Sequence, residues 1–212
     1  MKKTHKNQTK PAKKLKLFYQ EKFIEAGCDE AGRGCLAGPV YAAAVIWPQG
    51  KTIPRINDSK TLNEKVRNEL RIEIEANAIA HAVAWVDNRE IDKINILNAS
   101  FLAMHRALDK LKKVPELLII DGNRFNTYKK IQHECIIGGD GKYASIAAAS
   151  ILAKTYRDEF MLKIHEEFGQ YGWDHNKGYA TRFHKQAISR FGLSMYHRRS
   201  FNCMAGQLKL DI

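Results

Sequence analysis

The chain has no run of 18 apolar residues, which excludes a membrane-spanning helix. Its N-terminus is basic but leads into no apolar segment, which excludes a secretory signal, so a cytoplasmic protein is expected. Cysteine is sparse. Cys28, Cys35, Cys135 and Cys203 show no Cys-x-x-Cys spacing, so zinc-binding and thioredoxin-type readings lack support and reduced, mostly buried thiols are expected. Cys28 and Cys35 flank the motif described below, which leaves a regulatory disulfide open. There is no P-loop pattern and no internal repeat. Acid is also scarce, with 23 Asp and Glu against 35 Lys and Arg, for a net charge of +12. Seven lysines and no acid lie in residues 1–16, a stretch expected to be a disordered tail. Residues 17–212 are long enough for one packed domain.

The acids that are present stand at informative places. Asp29 and Glu30 close the short apolar segment that begins at Phe23, and Gly32-Arg33-Gly34 follows at once. Adjacent carboxylates at a strand end repel unless a cation joins them. Glycines let the backbone approach a ligand closely. Two further acids follow apolar runs: Asp121 after Leu117–Ile120, and Asp140 in Gly138-Gly139-Asp140-Gly141.

Patterning predicts strands over 24–29, 40–47, 79–86, 117–120 and 131–137. It predicts helices over 62–78, 95–111, 143–168 and 181–191, the first capped by Thr61 or Asn63. The first two strands are close enough in sequence to form an antiparallel pair. Leu117–Ile120 reads as a central strand buried on both faces. If it lies beside the first strand, Asp29 and Asp121 meet at the sheet edge, and Asp140 can join them from the mouth of the next helix. Oxygen donors without His or Cys favour Mg²⁺ or Mn²⁺. Two such ions about 3.5–4 Å apart would serve phosphodiester hydrolysis. Each Asp alone could be a plain turn former. The set of four beside Gly-Arg-Gly is harder to explain that way. Gly32-x-Gly34-x-x-Ala37 and Gly139-x-Gly141-x-x-Ala144 loosely match a dinucleotide fingerprint, but neither has the strand–helix context that motif needs.

Long segments of the chain resemble bacterial type 2 ribonuclease H, the ribonuclease HII family. They are Asp29–Gly34, Leu36–Val40, Asn57–Lys60, Ile94–Ser100, Ile120–Asn123, Gly139–Lys154, Asn176–Thr181 and His197–Phe201, in family order. The resemblance implies an α/β ribonuclease H-like fold, a mixed five-stranded sheet flanked by helices, with a C-terminal helical extension. It implies an endoribonuclease that hydrolyses RNA in RNA–DNA hybrids and acts in ribonucleotide removal from DNA. Incision falls 5′ of a ribonucleotide embedded in duplex DNA and leaves a 3′-hydroxyl and a 5′-phosphate. The family's four metal-binding carboxylates correspond to Asp29, Glu30, Asp121 and Asp140, holding two Mg²⁺ or Mn²⁺ ions.

Main-chain groups of Gly32, Arg33 and Gly34 correspond to those that contact the ribose 2′-hydroxyl, the feature that separates RNA from DNA. Tyr179 corresponds to the family's discriminating tyrosine. Lys60 is a candidate phosphate contact, and Lys154 is either another or a solvated side chain. His197 reads as a capping or packing residue that could otherwise shuttle a proton. Arg198 and Arg199 are candidate contacts to the DNA backbone. A monomer without a membrane partner is expected. Gln207–Ile212 only vaguely resembles a sliding-clamp peptide.

Three competing readings are weaker on the residues. A module that binds hybrid duplex without cutting would be favoured by a missing carboxylate, and none is missing. Ribonuclease HIII has an added N-terminal domain for which residues 1–16 are too few. The Gly-Arg-Gly motif argues against a transposase or resolvase nuclease of the same fold.

Overall fold

The structure is a computed structural model that describes residues 15–52, 56 and 62–203. A five-stranded mixed sheet forms its centre, in the order β3-β2-β1-β4-β5. The strands are β1 (Glu25–Ala31), β2 (Val40–Ile46), β3 (Ala80–Val86), β4 (Leu117–Asp121) and β5 (Gln132–Ile136). β2 runs antiparallel to β1 and β3, whereas β4 runs parallel to β1 and β5. The expected adjacency of the first and fourth strands is therefore present, with Cys28 paired to Ile120.

Among the described residues six helices accompany the sheet: α1 (Glu64–Asn77), α2 (Asn88–Ile94), α3 (Ile96–Asp109), α4 (Ala144–Glu167), α5 (Trp173–Asn176) and α6 (Arg182–Phe191). Asn63 is the cap of α1, its side chain accepting from the Val66 amide at 2.9 Å. Helix α2 has no counterpart in the sequence reading. At seven residues it is too short to show a clear period, and Asp87 marks its start only as a cap to the Glu90 amide.

One sheet face packs on α3, burying Ala26, Cys28, Val40, Ala42, Leu118 and Ile120 against Ala99, Ala103 and Met104. The other face receives α4 and α1 around Ala43, Val45, Leu70 and Ile74. Small residues Ala144, Ala147, Ala148 and Ala149 line α4 there and bring it close to the strands. At Gly27 any Cβ would lie 2.4 Å from the Ser145 and Ile146 backbone, so only glycine lets α4 seat on β1. A third cluster, with Leu36, Met161, Trp173 and Ile188, fastens the C-terminal helices to the end of α4.

Leu15 is buried in the core, and Lys16 exchanges backbone hydrogen bonds with Lys142 and Ala144. The folded body thus begins no later than Leu15. No helix among the described residues is long and apolar enough to cross a membrane.

Candidate active site

The parallel pairing of β1 with β4 creates the site. One step beyond the Cys28–Ile120 pair, Asp29 and Asp121 stand side by side at the C-terminal ends of their strands. Glu30 follows at the end of β1. These three carboxylates line a cleft of about 410 Å³ with Gly32, Arg33, Gly34, Arg67, Ser150, Lys154 and Tyr179. A second cleft of about 510 Å³ lies at the other end of β1, around Glu25. Glu25 there is already engaged, accepting hydrogen bonds from the Tyr19 and Gln20 amides.

Asp29 is buried, and burial lifts its pKa well above the ordinary carboxylate range. The neighbouring Glu30 and Asp121 charges push it further, while hydrogen bonds from the Ser150 side chain and the Glu30 amide oppose the shift. Glu30 is also raised, by burial first, although the Arg33 guanidinium at 3.1 Å pulls the other way. Asp121 Oδ1 accepts the Gly139 amide at 2.6 Å, which ties the end of β4 to the turn that carries Asp140. Asp140 itself is buried and takes the Gly141 amide at 2.9 Å. It stands one residue beyond that tie and does not line the cleft shared by the other three.

The fit to a divalent cation rests on the donor set. Buried oxygens repel one another at Asp29, and Arg33 reaches Glu30 from a half-exposed position. Among the described residues, no three His, Cys, Asp or Glu side chains already form a closed cage. The chemistry of the donors nevertheless suits a hard cation with water in part of its shell, as Mg²⁺ prefers.

The Gly32-Arg33-Gly34 turn is held from behind by two arginines that sequence reasoning did not place there. Arg198 is fully buried and donates to Gly32 O at 2.7 Å, Arg33 O at 2.8 Å and Gly38 O at 3.0 Å. Arg157, equally buried, donates to Ala37 O, Pro39 O and Lys177 O. The expectation that Arg198 grips DNA is therefore corrected: its guanidinium has no exposure and every nitrogen is committed to a carbonyl. Arg199 is exposed. Gly32 adopts φ +97°, and a Cβ there would fall 2.0 Å from Arg157 Nε, so the turn requires glycine. At Gly34 no atom of the described residues lies within 4 Å of a would-be Cβ, which leaves its backbone open to a ligand.

Tyr179 is 44% exposed at the rim, with Lys154 Nζ 6.0 Å from its ring centre. Lys154 is paired with buried Asp158 at 2.6 Å, and Arg67 reaches the same carboxylate at 3.7 Å. Two cations on α1 and α4 are thus aimed into the cleft by one acid. Arg67 escaped the sequence reading because nothing local marks it. Lys60 and Gln207–Ile212 lie outside the described residues. His197 is buried and hydrogen-bonded to Ser194 and His184, as a packing residue would be. Cys28 and Cys35 are both buried and free.

The family model for ribonuclease HII matches residues 26–204. A ribonuclease HII of Christiangramia forsetii is 63% identical over 194 residues, 92% of this chain and 98% of that protein. One from Bacteroides fragilis is 62% identical, covering 91% and 96%. Among solved structures, ribonuclease HII of Archaeoglobus fulgidus, seen in complex with PCNA, matches with a TM-score of 0.74 and 25% identity over 89% of this chain and 98% of that one. Ribonuclease H2 of Pyrococcus horikoshii OT3 gives 0.71 and 25% over 84% and 94%. Bst-RNase HIII, solved with Mn²⁺, gives 0.69 at 22% over 84% and 67%, a likeness of fold alone.

Proposed function

The chain belongs to the ribonuclease HII family, hydrolases that cut RNA paired to DNA and remove ribonucleotides from DNA, and from that premise we propose how its own residues divide the work. Asp29, Glu30, Asp121 and Asp140 would hold Mg²⁺ or Mn²⁺, in a two-ion arrangement. Bound there, the metal supplies an activated water and charge stabilisation at the scissile phosphate. Asp29 and Asp121 set the floor of the site through the strand register, and Ser150 orients Asp29. Gly32, Arg33 and Gly34 present main-chain groups to the 2′-hydroxyl, with Arg198 holding the turn by hydrogen bonds and Arg157 packed against Gly32. Tyr179 tests the sugar of the adjoining nucleotide. Arg67 and Lys154 meet backbone phosphates, with Lys60 as a further contact. The cut falls 5′ of the ribonucleotide and leaves a 3′-hydroxyl.

The observation that carries this reading is the convergence of three strand-end carboxylates, an open glycine turn and an exposed tyrosine on one cleft. We place the enzyme in the cytoplasm as a monomer. A clamp contact through Gln207–Ile212 would parallel the Archaeoglobus complex. The test uses end-labelled duplex DNA with one ribonucleotide, Mg²⁺ or Mn²⁺, wild type and Asp29→Asn. A single cut 5′ of the ribonucleotide, lost in the variant and absent from all-DNA duplex, is expected. Binding without cutting under either metal would overturn the reading in favour of a recognition module.

A further inference from the structure

Behind the turn that carries Tyr179 lies a chain of buried polar rings whose protons can be assigned from heavy atoms alone. The indole N–H of Trp173 can only donate, and it points at His184 Nε2 from 3.0 Å. His184 Nε2 is therefore bare, and its proton sits on Nδ1. That nitrogen lies 2.9 Å from the Tyr179 carbonyl, which can only accept. The Ser194 amide, which can only donate, points at His197 Nδ1 from 2.9 Å, so that nitrogen is bare and the His197 proton sits on Nε2. His197 Nε2 lies 3.2 Å from His184 Nε2, where its N–H shares the single lone pair with the Trp173 N–H. Trp173 thus fixes the tautomer of His184 and Ser194 that of His197, and the two are mutually compatible.

The segment held by this chain is strained. Lys177 adopts φ 48° and Gly178 follows at φ +85°. Such a turn persists only when its surroundings over-determine it. Arg157 takes the Lys177 carbonyl, the Leu36 amide takes that of Gly178, and His184 and the Thr181 amide take that of Tyr179. His184 and His197 are 0% and 1% exposed. Burial holds both imidazoles below their usual range, His197 at about 4, so both rings stay neutral as the assignment requires.

We infer that Trp173, His197 and His184 form a proton-ordered relay that positions Tyr179 and thereby sets the preference for an embedded ribonucleotide over a long hybrid. The inference rests on reading Tyr179 as the sugar-testing residue. The relay touches neither substrate nor metal, so its members are positioning residues. Asn is the informative replacement at 184, because its amide nitrogen occupies the place of imidazole Nδ1 and can still donate to the Tyr179 carbonyl.

The first test needs no variant. Nitrogen-15 NMR of the histidine-labelled full chain should show His184 as the Nδ1–H tautomer and His197 as the Nε2–H tautomer. Either ring in the opposite form overturns the relay. The second test compares kcat/KM on a single-ribonucleotide duplex with that on a long hybrid. His184→Leu should lower this ratio by roughly fivefold, the scale of one buried hydrogen bond. His184→Asn should restore most of it, and His184→Leu should add nothing to Tyr179→Ala. A lowered ratio in Tyr179→Ala beside an unaltered one in a folded His184→Leu overturns the relay alone. An unaltered ratio in Tyr179→Ala overturns the reading of Tyr179 and the relay with it.

Discussion

Two buried polar regions lie back to back in this molecule and are built on opposite principles. At the strand ends, Asp29 and Glu30 bring like charges together in a desolvated place, and the hydrogen bonds there and the Arg33 guanidinium beside Glu30 leave both pKa values raised. Behind the glycine turn, Arg157, Arg198, His184 and His197 are at least as deeply buried, yet each has its hydrogen-bonding capacity taken up by named partners. Burial alone therefore does not mark a functional group. Arg198 too is held low, at about 10, by burial and the like charge of Arg157, so what separates the two regions is that the acids line an open cleft whereas the arginines have spent every donor on a carbonyl.

The largest effect should come from breaking the saturated side. Arg198→Met removes the donors of three carbonyls, those of Gly32, Arg33 and Gly38. A loss on the order of 3–5 kcal/mol is expected in urea unfolding, because the acceptors stay buried without partners. A loss below about 1 kcal/mol would mean that water replaces the guanidinium, and the contrast between the two regions would fail.

An intermediate effect comes from pH, and the two regions should respond with opposite signs. The folded pKa of His197 is about 4, below its unfolded value near 6.5. Its contribution is fully present above pH 6.5 and is lost as pH falls toward 4, on the order of 3 kcal/mol. Asp29 is raised in the folded state, so without metal it opposes folding increasingly as pH rises above its unfolded value, and acidification relieves it. Asp29→Asn should therefore raise metal-free stability at pH 7 by about 1 kcal/mol and steepen the decline on the acid side. Thermal melts across pH 4–8 decide it. A destabilised variant at pH 7 would show that Asp29 is compensated after all.

The smallest effect is expected outside both regions. Removing residues 1–14 leaves Leu15 in the core and takes away six lysines. Affinity for hybrid duplex should weaken and its salt dependence flatten, with no change of cut position. Titrations at several salt concentrations read this directly. An unchanged slope would show that the lysines make no phosphate contact.

Much of the fold was legible because its signals are local. The apolar run of β4, the Asn63 cap and the small-residue start of α4 appear in sequence much as they appear in structure. Helix α2 did not, being short and without a period. Arg67 carries no local mark, and Lys154 stayed open between a phosphate contact and a solvated side chain until Asp158 gathered both at the cleft. Arg198 looked like a DNA contact because basic residues in a basic chain invite that reading.

By itself the sequence determined the chemistry: four acids after apolar strands, a glycine turn beside two of them, and family motifs long enough to name the reaction. These are properties of residue type and local spacing. Tertiary structure alone decided which charges are compensated. Arg198 reaches the glycine turn across 165 and 166 residues of chain, and the two histidines meet because the segment after α6 turns back onto that helix. Compensation of a buried charge depends on what surrounds it in space, and no local pattern encodes that.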